Sequence, residues 1–211
     1  MKNIDDLMTS AAELAERGLS KGEIADELNV SRETASWLVE RSDGPQTTPE
    51  QDVSGGPEDI HVDWSAIGRD SNRLWHIGST MADLLLKQGE EVDLTIGIEK
   101  AGAPLATAVA RELDTDLATY APRKHQWDDD DMADLGGTFS RNFAGIRDRE
   151  CYVVDDTITS GTTMTETVQA IREQGGEPIA CVVLVDKQGV SDIEGVPVYS
   201  LVQVIRVGND E

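Results

Sequence analysis

The 211-residue chain holds two cysteines, three histidines and six lysines, and aromatic residues make up 4% of it. Each scarcity excludes something. Cys151 and Cys181 both fall in apolar, strand-like runs, so they read as small buried residues and not as a disulfide framework. His61, His76 and His125 are scattered, with no i,i+4 pair and no Cys-x-x-Cys, so no metal site is expected. No apolar run approaches the roughly eighteen residues of a membrane span, and no signal-like apolar segment stands near the N-terminus. A membrane is therefore not an expected partner, and a cytoplasmic protein is the expectation.

What is present in excess is acid. Lys and Arg together number 18 against 41 Asp and Glu, a formal net charge of −23. Acidic disordered chains share such a charge, but apolar periodic segments run through most of this one, so it can bury a core. The balance, poor in lysine and aromatics, resembles the proteome of salt-accumulating halophilic archaea, in which carboxylates keep proteins hydrated.

The most informative stretch is residues 151–163, Cys-Tyr-Val-Val-Asp-Asp-Thr-Ile-Thr-Ser-Gly-Thr-Thr. An apolar run, Tyr152 to Val154, leads into adjacent carboxylates, Asp155 and Asp156. A loop of hydroxyls with one glycine follows, and a helical pattern begins at Met164. Thr163 with Glu166 three residues on has the form of a capping box. A strand, a small-residue loop and a helix N-terminus make an anion cradle, because free amides and the helix dipole point at the ligand. A phosphate needs donors, so the neighbouring carboxylates must serve other groups, and sugar hydroxyls can donate to them. Acids for a ribose and amides for its 5′-phosphate describe a phosphoribosyl site.

These thirteen residues resemble the 5-phosphoribosyl-1-pyrophosphate signature of the type I phosphoribosyltransferases. The resemblance implies that Asp155 and Asp156 hold ribose hydroxyls while Thr159, Ser160, Gly161, Thr162 and Thr163 wrap the 5′-phosphate. Thr157 departs from it, since the family more often has an aliphatic residue there. The loop Ile98-Glu99-Lys100-Ala101-Gly102-Ala103-Pro104 follows an earlier strand, where the family places its pyrophosphate loop. Lys100, Ala101 and Gly102 would then face pyrophosphate. Magnesium is expected only together with a pyrophosphate-bearing ligand, and no cofactor otherwise.

Residues 1–42 read as helices. The run Lys21 to Glu40 fits a helix-turn-helix: Ala25 where the helices cross, Asn29 in a left-handed turn position, and Ile24, Leu28, Val30, Ala35 and Leu38 facing inward. Ser20 with Glu23 forms a capping box and Ser31 caps the second helix. Leu7, Ala11 and Leu14 give an earlier helix an apolar stripe to cover the pair. A DNA-binding role places Arg32, Glu33, Ser36 and Trp37 near base edges of promoter duplex and Ser31 and Thr34 near phosphates. Trp37 has a second expectation, packing against the other domain. This segment carries nine acids against five bases. In molar salt, with a Debye length of about 3 Å, long-range repulsion is screened and direct groove contacts must carry affinity.

Residues 43–58, polar with three prolines and three glycines, read as a linker without a winged hairpin. From 59 to 211 strands and helices alternate: a helix over 68–88, a strand at 92–98, a helix at 103–113, a strand at 116–121 and an acidic loop at 124–137. The signature strand and helix come next, then strands at 179–185 and near 198–205. Such alternation implies an α/β fold, a parallel sheet with helices on both faces, and ligands beyond the strand C-termini.

Within the type I family the closest resemblance is to orotate phosphoribosyltransferase, over roughly residues 60–190. Arg123 and Lys124 match the basic pair of that enzyme's mobile loop. The next expected basic position falls near Trp127, and Asp128 to Asp131 follow, acids that oppose stabilisation of a polyanionic transition state. An enzyme of pyrimidine synthesis also has no evident need of a helix-turn-helix. The whole arrangement resembles the orotate-phosphoribosyltransferase-like transcriptional regulators of sugar catabolism in haloarchaea. That resemblance implies a homodimeric regulator sensing a phosphorylated sugar or related metabolite, with no catalytic residue assigned. An active orotate phosphoribosyltransferase is the alternative.

Overall fold

In the computed structural model the described residues are 4–42, 59–122 and 137–205. They divide into two compact units, Met1–Trp64 and Ser65–Glu211. The expected linker at 43–58 and most of the acidic loop, with Arg123 and Lys124, lie outside the described residues.

The first unit is α1 (Ile4–Glu16), α2 (Lys21–Leu28) and α3 (Arg32–Ser42). Its core joins Ala11, Ile24, Ala25, Leu28, Val30, Ala35 and Leu38, with Leu7 and Leu14 packed against it. The inward-facing set expected from the spacing is the set that is buried. Residues 59–64 also belong to this unit. The boundary expected at 58/59 thus stands at 64/65, because Asp59, His61 and Val62 hydrogen-bond to the turn between α2 and α3.

In the second unit, α4 (Ser65–Gly68) and α5 (Ser71–Leu86) precede β1 (Leu94–Ile98), α6 (Gly102–Leu113) and β2 (Asp116–Ala121). Then come β3 (Thr138–Phe139), β4 (Glu150–Ile158), α7 (Thr162–Glu173), β5 (Glu177–Asp186), β6 (Asp192–Ile193) and β7 (Val196–Gln203). The one helix expected over 68–88 is interrupted at Asp70, whose carboxylate caps α5 by accepting from the Asn72 and Arg73 amides at 3.1 and 2.9 Å. The two-residue strands β3 and β6 are too short for periodicity to reveal.

The sheet has the order β3-β2-β1-β4-β5-β7-β6. Its five central strands pair in parallel and the two short edge strands antiparallel. Residues of one parity, Leu94, Ile96, Ile98, Cys151, Val153, Cys181 and Val183, share a core cluster with Met164, Val168 and Ile171 of α7. Helix α6 packs on β1 and β4 and against α5, so helices cover both faces, as a parallel sheet requires. Full burial of a Val, Leu or Ile contributes about 1.5–3 kcal/mol, and this sandwich buries them on β1, β4, β5 and β7, while β2 buries Ala118 and Tyr120. All five parallel strands end on the same side of the sheet.

Candidate functional sites

The helical unit presents the geometry its sequence encodes. Ser20 Oγ accepts from the Glu23 amide at 3.3 Å and the Glu23 carboxylate accepts from the Ser20 amide at 2.9 Å, closing the capping box. Asn29 sits at φ 51°, ψ 45°, and its amide donates back to Ala25 and Asp26 carbonyls. Only a left-handed residue ends α2 and turns the chain within three residues into α3. Ser31 Oγ accepts from the Thr34 amide at 3.1 Å, capping α3 as expected.

On α3, Arg32 and Glu33 are exposed and Ser36 is half-buried. Thr34 differs from expectation. It is buried at 9% exposure with its hydroxyl 2.9 Å from that of Ser31, so that hydroxyl is engaged within the turn. Trp37 packs against its own unit's core, with the Arg41 guanidinium 5.2 Å from its ring centroid.

In the sheet unit the signature strand is longer than expected. β4 runs on through Asp155, Asp156 and Thr157 to Ile158, because Asp155, Thr157 and Ile158 still pair with Val183, Val185 and Asp186 of β5. Both carboxylates therefore ride on a rigid strand end. Asp155 Oδ1 accepts from the Asp156 amide at 2.8 Å, and Asp156, 9% exposed, accepts from the Thr157 hydroxyl at 3.2 Å. The loop shrinks to Thr159, Ser160 and Gly161. Gly161, at φ +79°, is the N-cap of α7 and offers no side-chain cap. The hydroxyls of Ser160 and Thr162 lie 3.0 Å apart, and Ser160 Oγ accepts from the Thr162 amide at 3.4 Å.

The expected capping box at Thr163 does not form. The helix starts earlier, at Thr162, and Glu166 turns away: its carboxylate accepts from the Tyr120 hydroxyl at 2.8 Å and the Gly137 amide at 3.2 Å. Glu166 thereby ties α7 to β2 and to the residue preceding β3. Tyr120 is fully buried, so a carboxylate that satisfies it outcompetes a cap that would leave its hydroxyl without this acceptor.

Lys100, Ala101 and Gly102 follow β1, and the Glu99–Lys100 peptide is cis. Gly102 opens α6 against the end of β4: a Cβ there would stand 2.6 Å from the Val154 carbonyl and 2.8 Å from Asp155 Cα. That approach brings the two loops, far apart in sequence, to one place beside the carboxylates. Glu99 accepts from the Thr119 hydroxyl at 2.8 Å, bracing the same loop.

Sequence reasoning missed Asp186. It is buried at 1% exposure at the end of β5, and it accepts from the Gln188 and Gly189 amides at 2.8 and 2.9 Å. The Asp-x-x-Gly spacing is the signal that reveals such a turn. Cys151 and Cys181 are free and buried, and burial pushes the Cys151 thiol up to about 12. Among the described residues no three His, Cys, Asp or Glu gather as a metal set, and no helix is long and apolar enough to cross a membrane.

Comparison with known proteins joins the two units. The phosphoribosyl transferase domain family matches residues 63–198. A protein of Haloarcula marismortui, named transcriptional regulator GfcR, is 75% identical over 210 residues, covering 100% of this chain and 99% of its own length. One of Methanosarcina mazei with the same name is 45% identical, covering 98% and 100%. Orotate phosphoribosyltransferase of Mycobacterium tuberculosis H37Rv, solved with 5-phospho-α-D-ribosyl 1-diphosphate, superposes with TM-score 0.53 at 20% identity. That match covers 68% of this chain and 80% of the enzyme, and it establishes the fold alone.

Proposed function

From a chain that belongs to the phosphoribosyl transferase domain family and, along its whole length, to the GfcR transcriptional regulators, we propose that a ligand site has been joined to a DNA reader. The protein is a transcriptional regulator with a phosphoribosyltransferase-like domain. Its relatives over the whole chain carry that name and not that of an enzyme of pyrimidine synthesis.

The finer reading is this. The helix-turn-helix of residues 1–42 binds promoter duplex through α3, with Arg32 and Ser36 toward base edges and Ser31 toward a phosphate. Glu33, as an acceptor, suits a cytosine amino group. The effector is a phosphorylated sugar or a phosphoribosyl compound of central sugar catabolism. Asp155 and Asp156 take its hydroxyls, residues 159–163 its phosphate, and Lys100 to Gly102 any second phosphate. Magnesium arrives with such a ligand. The working unit is a cytoplasmic homodimer, whose two α3 helices reach half-sites one helical turn, about 34–36 Å, apart.

One observation supports this most: a capped, exposed α3 and a strand-end cradle, with Gly102 pressed against Asp155, occur in a single chain. Regulation follows if the ligand prefers one domain arrangement over another, since only differential affinity shifts an equilibrium.

The test is a gel shift in molar KCl with duplexes recovered from genomic binding-site mapping, with and without phosphoribosyl pyrophosphate. Specific shifts that respond to the ligand support the reading, and their absence removes it. Conversion of orotate and phosphoribosyl pyrophosphate to orotidylate, lost in Asp156→Asn, would replace it with the enzyme.

A further inference from the structure

Residues 59–62, near the end of the helical unit, lie across the turn that leads into α3. The Asp59 carboxylate accepts from the Ser31 amide, at the N-terminus of α3, and its other oxygen accepts from the Ile60 amide at 2.7 Å. His61 Nδ1 donates to the Leu28 carbonyl at 2.5 Å, and the Asn29 side-chain amide donates to the Val62 carbonyl at 3.5 Å. Three of the four residues from Leu28 to Ser31, all but Val30, are held by one short segment. The next element, α4, begins at Ser65 with only Asp63 and Trp64 intervening.

Two features make this strap unlike a permanent brace. First, the Ser31 hydroxyl already caps α3 at the Thr34 amide, so what Asp59 supplies is an acceptor for the Ser31 amide, a donor that a DNA phosphate can take in its place. Second, His61 donates through Nδ1, which leaves Nε2 a buried acceptor with no hydrogen-bond partner. A buried unpaired nitrogen has lost water without return, which lowers the strap's hold. Resting on the DNA-binding reading above, we propose that residues 59–62 form an autoinhibitory strap. Asp59 holds the α3 N-terminal amide against a DNA phosphate, and duplex binding displaces it.

In a helix-turn-helix the N-terminal residues of the second helix contact base edges, so the carboxylate on Ser31 stands beside Arg32 and Glu33. Phosphate and carboxylate compete for the same donor and repel each other. High salt screens the long-range part of that repulsion but does not free an occupied amide.

The experiment compares full-length wild type, Asp59→Asn and Asn29→Gly on the duplex selected by the wild type from a random-sequence pool, or by Asp59→Asn should the wild type select none. Asp59→Asn keeps the shape and removes the charge. Asn29→Gly keeps a left-handed turn and removes the bond to Val62. Thermal melts identify variants whose helical unit stays folded. The expected result is binding tightened about three- to tenfold by Asp59→Asn, from removing a like charge beside phosphate, and tightened less by Asn29→Gly. Unchanged or weaker binding by a folded variant overturns the strap and leaves the regulator intact. Should Asp59→Asn fail to fold, the sign of the Asn29→Gly effect decides. If no form of the protein selects a duplex, the DNA-binding reading falls and takes the strap with it.

Discussion

The helical unit completes its two capped helices and their turn within about two dozen residues, from Ser20 to Ser42, whereas the sheet unit brings together loops after β1 and β4 that chain order keeps far apart. In the first, each cap and crossing residue acts on neighbours three or four positions away. In the second, Gly102 matters because it meets Asp155, and Glu166 because it meets Tyr120. Local design tolerates change one piece at a time; non-local design fails where two pieces touch. Substitutions should therefore separate the two units cleanly.

The largest effect is expected from Leu38→Ala. Leu38 is 1% exposed in the small helical core, and a cavity there costs about 2–5 kcal/mol. Melting followed by far-ultraviolet dichroism should show the helical unit lost while the sheet unit keeps its transition. Loss of both together would break the comparison. Next comes Gly102→Val, whose Cβ meets backbone at 2.6 and 2.8 Å, where nothing flexible can yield. Calorimetry with phosphoribosyl pyrophosphate should register binding weakened by about tenfold or more, about 1.4 kcal/mol, with DNA affinity unaltered.

Arg32→Ala is the mirror experiment: about 1–3 kcal/mol of duplex affinity lost, read by gel shift, with ligand calorimetry unaffected. The alkaline limb distinguishes the units again. The folded Cys151 thiol stands at about 12, raised by burial from an ordinary 9.0. Below about pH 9 its contribution is complete. As pH rises from there toward 12 the unfolded chain loses the proton first and stability falls, by at most about 1.4 kcal/mol per pH unit for one group. The sheet unit alone should show this slope, because both cysteines lie in the sheet, and Cys151→Ala should lessen it, the remainder coming from Cys181, whose thiol burial also pushes up. The smallest effect is Ser20→Ala, which opens the capping box and costs the helical unit about 1 kcal/mol.

Legibility in the sequence followed the same division. The turn at Asn29, both caps and the buried set of the helical unit were readable because their partners are sequence neighbours. The signature at 151–163 was readable as a kind of site, and so was the alternation behind the parallel sheet. Other features were not. Glu166 has the spacing of a capping box with Thr163, and only the arrival of Tyr120 from β2 shows why it turns away. Thr34 has the look of a phosphate contact until the Ser31 hydroxyl claims it. The extension of β4 through the paired aspartates depends on β5 continuing beside it. Asp59 gave no periodic signal at all, since a single carboxylate in a polar stretch says nothing of the turn it will meet.

The amino-acid order alone determined the capped helices and turn of the helical unit and the strand–loop–helix run at 151–163, because hydrophobic period, caps and turn residues act through short-range geometry. Tertiary structure decided that Glu166 and Asp186 brace the protein, how closely α6 approaches Asp155, and where the helical unit ends. Those outcomes depend on pairs brought together by packing, and a buried donor or acceptor takes whichever partner the fold delivers to it.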